Sequence, residues 1–68
     1  MDRAEWVARC AGRYMEILVL GGDEAVEMAR ANAETEELRN WTADPARWMD
    51  PVEAANEDLE FVVGKGDE

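Results

Sequence analysis

Seventeen carboxylates, one thiol and no imidazole are what this 68-residue chain has for chemistry. Nucleophilic catalysis needs a thiol or hydroxyl with a base beside it. Cys10 has no histidine anywhere in the chain to activate it and falls on an apolar helix face, so it reads as a buried, inert thiol. Thr35 and Thr42 are the only Ser or Thr residues, and neither has a base. One cysteine cannot form an internal disulfide, and without histidine it cannot build a tetrahedral zinc site. The expectation is a protein that is not an enzyme, with no catalytic residue, metal or cofactor.

The carboxylates hold the one alternative. Glu24 and Glu27, Glu34 and Glu37, and Glu57 and Glu60 each stand one helical turn apart. Pairs of this kind on facing helices can hold magnesium while substrate phosphates complete its shell. The spacing resembles that of the all-helical nucleotide pyrophosphohydrolases of the MazG type, which implies a magnesium-dependent activity on nucleotides. The likeness is confined to the spacing. This chain is shorter than that fold and offers no basic cluster for phosphates, and in so Glu-rich a chain such pairs read as solvated faces. A di-iron bundle needs Glu-x-x-His pairs, which are absent. Gly21-Gly22-Asp23-Glu24 spells the start of the diguanylate cyclase signature, but Ala25 follows where that family has an aromatic. It reads as one helix ending and another beginning.

Charge narrows the class of partner. The net charge is −10, and all of it lies beyond residue 20. Before that point Asp2, Glu5 and Glu16 balance Arg3, Arg9 and Arg13. Afterwards fourteen acids face Arg30, Arg39, Arg47 and Lys65. Nucleic acid and anionic membranes are repelled by such a surface. A basic protein is attracted and steered. The acidic face is assigned to Glu27, Glu34, Glu37, Glu53, Glu57 and Glu60. Near the middle of the chain, Arg39, Trp41, Arg47, Trp48 and Met49 crowd one connector. Trp and Arg are the types enriched at binding hot spots, so these five are the candidate partner-binding residues. The competing use of the tryptophans is to cap a small core, since each can bury roughly 150–250 Å².

These side chains must be positioned by helices. No stretch alternates apolar and polar residues long enough to make a strand. The first helix is expected over about 3–20, opened by a capping box of Asp2 and Glu5. Val7, Cys10, Tyr14 and Ile17 form an apolar seam on it. Glu5, Arg9, Arg13 and Glu16 can pair along its other face. Gly12 is a weak point within it, or a place where another chain comes close. Gly21-Gly22 is expected to end the helix in left-handed geometry, with Asp23 capping the next. The second helix, about 24–40, is poor in apolar residues (Ala25, Val26, Met28, Ala29, Ala33 and Leu38), with Ala25, Ala29 and Ala33 as a small-residue ladder, and is too alanine-rich to build a core alone. Asp44-Pro45 starts a short turn, and Asp50-Pro51-Val52-Glu53 starts a third helix over about 51–63. Val52, Ala55, Leu59 and Val62 give it an apolar seam, and residues 64–68 are expected to be a disordered polar tail.

The fold class is therefore all-α: a helical hairpin plus a third helix, a three-helix mini-bundle in a single domain over 1–63. A chain this short supplies only about 3–5 kcal/mol from its own core, which calls for a staple such as a partner chain. Hence a homodimer is expected, joined through Val7, Cys10, Tyr14, Ile17, Val52, Leu59 and Val62. The N-terminal residues lack a basic segment followed by an apolar core, and the longest apolar run is Ile17-Leu18-Val19-Leu20, so a soluble cytoplasmic protein is expected. The expected function is to bind and inhibit another protein, such as a DNA-binding transcription regulator, in the manner of a phage or mobile-element effector. An accessory-subunit role or the nucleotide-hydrolysing reading are the alternatives.

Overall fold

The computed structural model describes residues 1–64, with side chains as far as Phe61. Three helices follow in order: α1 (Arg3–Ile17), α2 (Gly22–Asn40) and α3 (Pro51–Gly64), with a 3₁₀ turn over Pro45–Arg47 before α3. No strand occurs among the described residues. No described helix is long and apolar enough to cross a membrane.

The starts of α1, the 3₁₀ turn and α3 follow the capping chemistry. Asp2 accepts a hydrogen bond from the Glu5 N–H at 2.8 Å and caps α1. Asp44 does the same for the 3₁₀ turn through Ala46, with Pro45 at its first position. One carboxylate oxygen of Asp50 accepts from the N–H groups of Val52 and Glu53 at the start of α3. Ion pairs lie along α1, Glu5 with Arg9 at 2.6 Å and Arg13 with Glu16 at 2.9 Å.

The helix ends do not follow the glycines. Helix α1 stops at Ile17, three residues short of expectation, where Leu18 turns extended and its N–H bonds the Tyr14 carbonyl. Gly21 is extended and is the N-cap of α2, so neither Gly21 nor Gly22 supplies a left-handed stop, and Asp23 lies inside the first turn. There its carboxylate and that of Glu24 face the positive end of the helix. The left-handed residue is instead Trp41, with φ 54 and ψ 36, at the end of α2. The Thr42 N–H reaches back to the Glu37 carbonyl at 3.2 Å, as in a glycine-type cap. Gly64 belongs to α3 rather than to a tail, and residues 65–68 lie outside the described residues.

Helix α1 supplies the centre of the core. It packs on both α2 and α3, whereas α2 and α3 touch each other only sparsely. Arg3 pairs with Glu37 at the far end of α2, so these two helices run antiparallel. Trp6 bonds Met49 and Arg13 bonds Asn56, so α3 runs along α1 in the same direction. Trp6, Val7, Cys10, Ala11 and Tyr14 of α1 meet Ala25, Ala29 and Ala33 of α2 and Ala54, Ala55 and Leu59 of α3. The alanine stripes contribute little area themselves, but they let α1's larger side chains fill the space between backbones.

This corrects the expected use of the seam on α1. Val7, Cys10, Tyr14 and Leu59 are buried within the one chain and present no surface to a second copy. Ile17 and Val52 remain exposed, and the Val62 side chain lies outside the described residues. The polar interior is stitched across all three helices. The Tyr14 hydroxyl donates to Asp58 at 2.7 Å and accepts from Asn32 at 3.0 Å, while Asn32 also donates to the Ala54 carbonyl. Burial, then the bond donated to Asp58, pushes the Tyr14 phenol up from its ordinary range. Burial, with the charge of Asp58 adding to it, pushes the Cys10 thiol up to about 12.

Candidate functional site

The connector expected to carry the binding surface divides in two. Trp48 folds inward to 7% exposure. Its ring meets Trp6 edge to face, its indole N–H donates to the Thr42 carbonyl at 2.8 Å, and the Arg3 guanidinium stacks over it. Met49 packs half-buried against the core. Its N–H donates to Glu36 at 2.9 Å and its carbonyl accepts from the Trp6 indole at 3.0 Å. Trp48 and the Met49 backbone hold α3 onto α1 and α2, so the expectation that the Trp48 side chain faces a partner is corrected, while the Met49 side chain stays half-buried. Trp41 and Arg47 stay outside. Trp41 is 89% exposed, and Leu38, one turn earlier in α2, is 68% exposed.

The cause of the division is local. Pro45 and Asp44 close a 3₁₀ turn that ends at Trp48 and aims its chain back at α1. Trp41 sits where α2 reverses in left-handed geometry, which throws its side chain off the end of the helix. Arg39 joins neither group. It lies between Glu36 at 3.4 Å and Glu57 at 3.7 Å, bridging the end of α2 to the middle of α3.

Between α2 and α3, above α1, lies an open cleft of about 310 Å³. Met28, Phe61 and Met49 give it apolar walls, Ala31 and Ala54 keep it wide, and Glu36, Glu57 and Asp58 make it acidic against the single charge of Arg39. Glu36 is 3% exposed, yet its carboxylate is satisfied by Met49, Asn40 and Arg39. No buried side-chain polar atom among the described residues lacks a partner.

The expected acidic residues do not form one face. Glu27 and Glu34 look outward from α2, Glu53 and Glu60 outward from α3, Glu57 borders the cleft, and Glu37 is tied to Arg3. Among the described residues no three acidic or thiol groups come together as a metal would need. The pairs that suggested magnesium thus point in separate directions.

The cleft was not anticipated. One signal for it was available: Glu36 continues the Ala25, Ala29, Ala33 ladder by a further turn and so had to be buried with it. Leu38 was missed as the neighbour of Trp41, although both lie on one helical flank at i,i+3. Compared with known proteins, the chain matches no family model, no curated protein and no solved structure.

Proposed function

We propose that this chain is a non-enzymatic binding protein that docks on a second protein with a basic surface, such as a DNA-binding transcription regulator, and inhibits it. The observation that carries the reading is Trp41. Its backbone takes a conformation that glycine adopts freely and that disfavours a side-chain-bearing residue by about 1–2 kcal/mol. Its indole then stands in water at 89% exposure, beside exposed Leu38. The left-handed turn that ends α2 needs no side chain, since glycine would make it at less cost, and the exposed indole adds nothing to the core. Both suit an anchor that enters a pocket on another protein, where a rigid aromatic loses little entropy on binding.

The surroundings supply the rest. Glu34 lies on the same helix flank, and Glu27 extends it further from the anchor. A net charge of −10 steers the chain to basic surfaces, and carboxylates spread over α2 and α3 can stand in for the phosphates such a surface holds. Capture of partners by the tagged chain from its host lysate tests this at low and high salt. One stoichiometric partner at low salt, weakened at high salt, is the expected result. Equal capture at both salts would remove the acidic component, and no capture at either would contradict the reading.

A further inference from the structure

The cleft between α2 and α3 plays no part in anchoring by Trp41. We propose that it seats a basic amphipathic helix of the partner protein, which completes a four-helix arrangement with α1, α2 and α3. This inference rests on the protein-binding reading and adds a second point of contact and its chemistry.

The geometry is that of a bundle with one helix left out. Helix α1 contacts both neighbours, α2 and α3 barely meet, and the space between them opens outward. From Met28 to Arg39 the α2 wall runs about 16 Å, or three turns. Ala31, exposed on the α2 wall, carries no long side chain, and Ala54 is buried beneath the bond that Asn32 makes to its carbonyl, which permits a helix to approach at the usual 8–10 Å or so. Met28 and Met49 are unbranched and adapt to whatever apolar side chains enter.

The charges select the occupant. Three carboxylates, Glu36, Glu57 and Asp58, line the cleft against one guanidinium, that of Arg39. An anionic ligand is repelled there. A helix with apolar residues at i, i+4 and i+7, flanked by lysine or arginine, meets both the methionine walls and the carboxylates. A second copy of this chain fits poorly. The outward faces of α2 and α3 present Glu24, Glu27, Glu34, Glu53 and Glu60, and each copy brings a net charge of −10.

The test titrates the ¹⁵N-labelled full chain with synthetic helical peptides of about 14 residues, long enough for the cleft. One set carries the apolar spacing with lysines, and its control carries glutamates in their place. The basic set should shift the amides of Ala31, Thr35, Ala54 and Glu57 saturably, and the acidic set should not. Ala31→Trp fills the cleft from an exposed position and should weaken binding about tenfold or more while leaving the melting temperature unchanged. Glu57→Lys, at a side chain 58% exposed, should shift preference toward the acidic peptides. No binding, shifts mapping to the Trp41 end, or equal binding of both sets would overturn the inference. So would normal binding by Ala31→Trp. If the cleft fails these tests while lysate capture still depends on Trp41, the binding reading stands. If peptides seat in the cleft but capture ignores Trp41, it is the anchor that falls.

Discussion

Trp6 and Trp48 meet edge to face, with ring centroids 5.3 Å apart and planes at 87°. Each indole N–H also holds a backbone carbonyl, Trp6 that of Met49 and Trp48 that of Thr42. The pair therefore does two jobs: it fills the end of the core and it fastens the connector. Trp48→Ala should cost about 3–5 kcal/mol. In a chain whose core supplies about as much, the variant should be largely unfolded by circular dichroism. A cooperative melt near that of the native chain would show that the connector is not part of the core.

Glu36 and Met49 form the second fastening. Glu36→Ala leaves the Met49 N–H without its acceptor and opens a gap at the end of α2, for a loss of about 2–3 kcal/mol. Glu36→Gln keeps an acceptor oxygen and should lose less. Urea denaturation of the two variants gives the comparison; equal losses would show that the bond to Met49 contributes nothing.

Alkaline pH should loosen the core through Cys10 and Tyr14. Both are acids held neutral by burial, Cys10 moving from 9.0 to about 12 and Tyr14 upward as well. The unfolded chain releases these protons first. Their contribution is thus fully present below pH 9 and is lost as pH rises toward the folded values. Thiol labelling at pH 8 should be slow in the native protein and fast in denaturant. Rapid labelling of native protein would contradict the burial.

Gly12 lies on the exposed side of α1, with nothing within 4 Å of where a Cβ would stand. Gly12→Ala should therefore raise stability by about 0.5–1 kcal/mol in the same urea experiment. A loss would mean that another chain approaches there.

Helix number, the starts of α1 and α3 and the all-α class were legible because capping residues and apolar spacing are local signals, whereas Asp23 does not cap α2 as expected. Asp2, Asp44 and Asp50 all cap as their sequences imply. The end of α1 was less so, because a glycine stop at Gly21-Gly22 was expected whereas the helix already ends at Ile17 with Leu18 extended; α2 ends at Asn40 as expected, through a left-handed Trp41. The use of the α1 seam was also misread. Alanine-rich α2 looked unable to complete a core, yet its small side chains are what let Trp6 and Tyr14 be fully enclosed. Composition also could not tell Trp41 from Trp48. They stand seven positions apart, and only the intervening 3₁₀ turn sends one inward and leaves the other in solvent. The cleft is a relation between two helices distant in sequence, with no local signature beyond the burial of Glu36.

On the proposed reading the Trp41 indole serves a partner and not the fold. The direct measurement compares the native chain with Trp41→Gly, reading thermal stability and partner capture on the same preparations. Glycine relieves the left-handed strain, so stability should be unchanged or up to about 1 kcal/mol higher, while capture of the partner is lost. A variant that captures the partner as the native chain does would remove Trp41 as the anchor, and one that unfolds would assign it to the fold.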